Sequence, residues 1–204
     1  MTDQNQSLRD DIAFLRGLAE AGQARPMAGA SILVAAGVVF GSASLIVWFL
    51  NAVQGVTANW LYSTVWGVAF VTYMAFLFLR IRAMPRERGT LQAATGVAWS
   101  GLGWAIFFVG ASLGVMSWRL HFPNVMFAFP SVIIALYGAG WFIAAVLLRK
   151  RWLHLVAAGS FAASLVNAWC AGDATIWLVY GASLFLLMAA PGLILMREAR
   201  AGTA

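Results

Sequence analysis

The sequence predicts an all-α polytopic membrane protein built from six transmembrane helices. Three observations predict it. First, 62% of the 204 residues are hydrophobic and only 10% are charged, where a soluble domain carries roughly 25% charged residues. Second, the apolar residues collect into six runs, each close to the about 20 residues that a helix needs to cross bilayer hydrocarbon. Third, twelve of the thirteen Lys and Arg residues fall in alternate gaps between those runs.

The runs are Ala28 to Leu50, Trp60 to Leu79, Thr95 to Ser117, Met126 to Leu148, Trp152 to Trp169 and Thr175 to Met196. None contains an internal Asp, Glu, Lys or Arg. The fifth is short and rich in Ala, Gly and Ser, so it is the weakest of the six. The domain organisation that follows is a cytoplasmic segment over 1–26, a membrane bundle over 27–197 and a short cytoplasmic tail over 198–204.

Charge placement sets the expected orientation. Arg9, Arg16 and Arg25 precede the first run, and Arg80, Arg82, Arg86 and Arg88 separate the second from the third. Arg149, Lys150 and Arg151 separate the fourth from the fifth, and Arg197 and Arg200 follow the sixth. The other three gaps hold only Arg119. Lys and Arg stay on the cytoplasmic side of a membrane, so both termini are expected there, in an inner (plasma) membrane of bacterial type. A gain or loss of one helix would destroy the alternation. The same placement argues against nucleic-acid binding despite a net charge of +6, because the charges form short clusters and no basic groove or basic helix.

The aromatic residues fit this frame. Trp48, Trp60, Trp118, Trp169 and Trp177 fall near the expected outer surface, and Trp99 and Trp152 near the inner one, where an amphipathic indole prefers to sit. Trp66, Trp104 and Trp141 lie deeper. They read as packing residues first and as the lining of an apolar-ligand pocket second.

An internal repeat is expected from three Ala-Ser-Leu triplets, at Ala43-Ser44-Leu45, Ala111-Ser112-Leu113 and Ala163-Ser164-Leu165. Each lies in the outer part of an odd-numbered run, with a Trp shortly beyond. The first and fifth runs also share Leu-Val-Ala-Ala-Gly, at Leu33 to Gly37 and Leu155 to Gly159. This pattern predicts three helical-hairpin repeats, with Ser44, Ser112 and Ser164 turned towards a common pseudo-threefold axis. Gly37 with Gly41, and Gly110 with Gly114, make two GxxxG pairs that mark close helix contacts. Pro191 removes a backbone donor deep in the sixth run and should kink it.

Ahead of the first run, Ser7 to Ala21 reads as a short amphipathic cytoplasmic helix. Ser7 is its N-cap, Asp10 completes a capping-box pattern and Gly22 is its stop. Leu8, Ile12, Leu15 and Ala19 share one face. Three acids against two bases make it a poor ligand for anionic lipid, so it reads as an interfacial lead-in.

Groups able to do chemistry are few. Cys170 is the single cysteine, which excludes an internal disulfide. His121 and His154 fall on opposite sides and cannot share a metal or haem. No carboxylate lies inside the bilayer to carry protons or sodium, and no phosphate loop, HExxH or GxSxG pattern occurs. No cofactor or metal is expected, and the chain reads as a non-enzyme. The candidate polar or solute contacts are Ser44, Ser112, Ser164 and Asn167 in the membrane, with Arg119, His121 and Asp173 at the outer mouth. Arg119 and Asp173 are the expected lone base and acid of that side, placed to pair across loops.

Three two-helix units in about 200 residues, with both ends inside, are similar in outline to the bacterial HdeD-type acid-resistance membrane proteins. The resemblance is one of layout, and no motif transfers a functional residue. The expected role is therefore a small accessory, stress-related or complex-assembling membrane protein, with the lipid bilayer and a second copy or another membrane protein as partners. The alternative is a transporter or channel for a small neutral or apolar solute.

Overall fold

The computed structural model describes residues 29–56, 58–83 and 90–201. Among them are six helices and no strand. Helix α1 is Ala30–Trp48 and continues as a π-helical turn, Phe49–Val53, before Gly55 (φ +65°) ends it. Helix α2 is Asn59–Ala83 and α3 is Thr90–Leu120. A 3-10 turn, Pro123–Phe127, leads into α4, Ala128–Leu148. Helix α5 is Arg151–Trp169. Helix α6 comprises Thr175–Leu184, a π-helical turn Phe185–Ala189 and a last α-helical stretch Ala190–Ala201.

Helices α1, α2, α3, α4 and α6 are long and apolar enough to cross a membrane. In helix α5, His154, Ser160 and Asn167 lower the apolarity. It still runs 19 residues, or about 28 Å at 1.5 Å per residue. A two-residue turn returns it along α4: Arg149 takes a left-handed conformation (φ 53°) and caps α4 through its N–H to the Ala145 carbonyl.

In lipid, helices gain little from burying apolar surface against one another, so close van der Waals fit and hydrogen bonds decide the packing. Two pairs dominate: α4 with α5, and α1 with α6. Helix α6 also touches α4 and α5 and so joins the two pairs. Helix α2 rests on α1 and α3 on α4. The core consists of side chains from α1, α4, α5 and α6, with Trp141, Ile134, Leu153, Leu184 and Met188 almost fully enclosed.

Glycine accounts for the α1–α6 contact. A Cβ on Gly37 would stand 2.7 Å from the Ala189 nitrogen and 2.9 Å from the Leu184 carbonyl oxygen, so α1 lies directly on the backbone of the π turn. Gly192 meets Val34 and the Ala30 carbonyl in the same manner. The predicted Gly37–Gly41 pair thus marks an intramolecular crossing. The second pair is split: Gly110 receives the Phe129 ring, while Gly114 faces open space.

The pseudo-threefold arrangement is corrected. Each sequence hairpin is a packed pair, α1 with α2, α3 with α4 and α5 with α6. However, α1, α3 and α5 make no extensive contact with one another, and neither do α2 and α3. The close-approach surfaces of α1 with α6 and α4 with α5 determine the centre; of the three triplets, Ala43-Ser44-Leu45 lies on the first of these surfaces, while Ser112 is exposed on α3. The expected N-terminal helix, with Ser7, Asp10 and Gly22, lies outside the described residues, as do Arg86 and Arg88.

Pro191 is expected to kink the sixth run; what the structure shows beside it is a widened helical turn. The widened turn Phe185–Ala189 precedes it, closed by the Ala190 N–H to the Phe185 carbonyl. A proline ring crowds the carbonyl four residues back, here Leu187, and the wider turn relieves that crowding.

Candidate functional site

Among the described residues, the buried polar side chains are Ser44 on α1, Thr95 on α3, Ser131 on α4, Ser160 and Asn167 on α5 and Ser183 on α6. Ser44 is completely buried, and its hydroxyl donates to the Trp177 carbonyl at 2.7 Å. This bond ties α1 to α6 one helix turn from the Gly41–Gly181 contact, where a Cβ on Gly181 would lie 3.1 Å from the Gly41 carbonyl. Ser160 and Ser183 are buried as well and donate to carbonyls four residues back, Val156 and Val179. Such back-bonding satisfies a hydroxyl without help from another helix.

Ser112 and Ser164 do not join Ser44. Ser112 lies exposed on α3 and Ser164 is half-buried on α5. Ser44 bonds to α6, and α1, α3 and α5 make no extensive contact with one another, so the structure does not bring the three hydroxyls together. Asn167 is fully enclosed on α5 and donates through Nδ2 to the Ala163 carbonyl at 2.9 Å.

The residues expected at the outer mouth also stay apart. Arg119 is exposed in the last turn of α3, where a cation favours the helix dipole. His121 follows in a left-handed conformation (φ 53°) that ends the helix. Asp173 is exposed, and its carboxylate accepts a 3.5 Å bond from the Thr175 N–H at the start of α6. Among the described residues no ion pair joins Arg119 to Asp173; the pair that forms is Lys150 with Glu198, at the other end of the bundle. At that end the Arg80 guanidinium also donates to the Ser31 hydroxyl at 2.9 and 3.2 Å. His154 stands edge-on to Phe142, with ring centroids 5.6 Å apart. No group of three His, Cys, Asp or Glu residues among the described residues is arranged to hold a metal ion.

The three deep tryptophans take three different roles. Trp141 is fully buried, meets Trp99 edge-on at 5.1 Å, and donates its indole N–H to the Leu187 carbonyl at 2.7 Å. Trp66 joins an aromatic layer with Phe40, Trp177 and Tyr180. Trp177, expected in the outer belt, belongs to this layer and also meets Phe127. Trp104 is 64% exposed and groups with Phe107 and Phe108 on the outer face of α3.

An open apolar groove of about 390 Å³ runs between α1 and α2 past Val39, Ser42, Ala43, Thr64, Ala69 and Thr72. The Thr64 hydroxyl in it is occupied by its own helix, donating to the Trp60 carbonyl. The larger unclaimed surface belongs to α2 and α3. None of the most apolar eighteen residues of α3 is buried, and 6% of those of α2 are, against 39%, 39% and 50% for α1, α4 and α6. Helix α3 carries five glycines, and at Gly96, Gly101, Gly103 and Gly114 a Cβ would meet nothing within 4 Å. Sequence reading missed this asymmetry: α2 and α3 are as long as their neighbours and somewhat less apolar, with mean hydropathy 1.7 and 1.5 against 2.1 to 2.3, and length and hydropathy do not show which faces are covered.

No family model, no curated protein and no solved structure matches the chain.

Proposed function

We propose that this protein is a non-enzymatic integral membrane protein that acts by assembling with other membrane proteins, through the outward faces of α2 and α3. The observation that carries this reading is the near absence of intramolecular cover on those two helices. Glycine in a helix costs about 1 kcal/mol relative to alanine. In membranes small residues repay that cost where another backbone comes close. Four glycines of α3 have no such neighbour among the described residues, which fits a helix shaped for contact with another molecule. The Trp104 indole, exposed on the same helix, supports this: an indole N–H prefers a partner or the headgroup level to hydrocarbon.

In this reading all six helices cross a bacterial-type inner membrane, with both termini cytoplasmic. The Arg80–Ser31 bonds and the Lys150–Glu198 pair gather the basic segments at one end, in keeping with the positive-inside distribution. The solute-transport alternative draws nothing from Ser44, Ser112 and Ser164, which do not face a common space.

The test is purification of the full chain from its native membrane in mild detergent, followed by native mass spectrometry. A stoichiometric partner or a defined oligomer is expected, and Gly103→Leu on α3 should dissociate it while leaving the fold intact. Recovery of a lone monomer with no partner would overturn the proposal.

A further inference from the structure

Among the described residues, two buried polar atoms have no hydrogen-bond partner: the Ser131 hydroxyl oxygen and Asn167 Oδ1. They belong to α4 and α5, one of the two dominant helix pairs of the fold. Gly138 against the Phe161 ring, and Phe142 against His154, set the antiparallel register of that pair. This register brings Ala145 level with Leu153, Gly138 with Ser160, and Ser131 with Asn167. Residues 131, 138 and 145 recur every seven along α4, as do 153, 160 and 167 along α5, and all six are buried. A seven-residue spacing keeps one seam facing its partner. Ser131 and Asn167 are therefore opposed members of one continuous interface.

The neighbouring backbone shows what each atom can reach. The other buried serines, Ser44, Ser160 and Ser183, all donate to carbonyls. Ser131 makes no such bond. The carbonyl four residues back belongs to Phe127, the helical N-cap of α4 (φ -66°, ψ -16°), and an N-cap carbonyl already accepts the first backbone bond of its helix. On Asn167, the Nδ2 bond to the Ala163 carbonyl fixes the amide orientation. A flipped amide would set oxygen against oxygen, so Oδ1 must point away from the helix backbone. Leaving such groups unpaired costs about 1–3 kcal/mol each, and buried polar atoms are almost always satisfied by protein or by ordered water.

We propose that Ser131 and Asn167 form a binding site for one internal water molecule that clasps α4 to α5. The water donates to Asn167 Oδ1 and exchanges a second hydrogen bond with the Ser131 hydroxyl, which can donate or accept. The site lies about one helix turn below the exposed turn at 171–173, so it can fill from the aqueous surface. A buried water with two or more polar partners is a regular structural element.

The test has two arms on the full chain. In an experimental high-resolution structure in lipid, one spherical density within hydrogen-bond distance of both atoms is expected. A direct Ser131–Asn167 bond, or two unoccupied side chains, would overturn the site. In unfolding titrations, Ser131→Ala and Asn167→Leu should each lower the folding equilibrium constant by about threefold to tenfold. The double variant should cost no more than the worse single one, because the second change removes a bond already lost. Ser131→Thr keeps the hydroxyl and should restore the wild-type equilibrium. Additive losses, or failure of Ser131→Thr to restore it, would refute the shared water.

Discussion

The indole N–H of Trp141 donates, at 2.7 Å, to the carbonyl of Leu187, the residue four before Pro191. An α-helical carbonyl at that position would bond the N–H of residue 191, which proline lacks. Trp141 supplies the missing donor from a neighbouring helix, as membrane proteins require when proline interrupts a backbone ladder. The same bond satisfies the one polar atom of a side chain that is otherwise wholly enclosed.

Trp141→Phe should therefore destabilise the protein by about 1–3 kcal/mol. In a Pro191→Ala background the helix regains its own donor, and the same change should cost clearly less. Unfolding titrations of the four proteins measure this coupling. Equal losses in both backgrounds would show that the indole is not standing in for the proline.

Glycines on α1 and α3 should respond in opposite directions. Gly37→Ala would drive a methyl group to 2.7 Å from the Ala189 nitrogen, so α1 and α6 must separate, at a cost of about 1–3 kcal/mol. Gly114→Ala meets open space and should be neutral or stabilising by about 0.5–1 kcal/mol, through helix propensity alone. Thermal unfolding of both variants in detergent decides it. Equal effects would contradict the packing described for α1.

The three serines of the triplets should also separate. Ser44→Ala removes the bond to the Trp177 carbonyl and should cost about 0.5–1.5 kcal/mol, more if the carbonyl stays unsatisfied. Ser112→Ala changes an exposed residue and should remain within about 0.5 kcal/mol of wild type. Comparison of the two melting curves suffices. A matching loss at Ser112 would point to a partner for it on another molecule.

Reporter fusions test orientation. Fusions after Arg88 and Lys150 should report the cytoplasm, and fusions near Gln54, Asn124 and Asp173 the opposite side. The fusion at Asp173 bears most directly on α5, the least apolar helix. A cytoplasmic signal there would remove α5 from the set of crossings.

The six helices and their approximate ends were legible from hydropathy and charge alone, because the solvent preference of a residue is local information. Ser44 was singled out as a candidate solute contact on a common axis; in the structure it is buried and bonds α1 to α6. Asn167 was recognised as costly for the simple reason that a primary amide in hydrocarbon needs a partner. Its opposite residue, Ser131, was passed over, since nothing local distinguishes it from other serines in an apolar run. The two GxxxG pairs looked alike in sequence and behave differently, one under the backbone of α6 and one half open.

By itself the sequence determined a membrane protein, the number of its helices and the segments that connect them. Those properties follow from transfer of each segment between water and lipid, which needs no knowledge of neighbours. Tertiary structure alone decided that α1 with α6 and α4 with α5 form the centre, that α2 and α3 stand nearly uncovered, and that Trp141 reaches Leu187. These depend on shape complementarity between helix faces. All six helices are apolar, so hydrophobicity cannot rank their possible pairings; close backbone approach at glycine, and hydrogen bonds between elements far apart in sequence, do so instead.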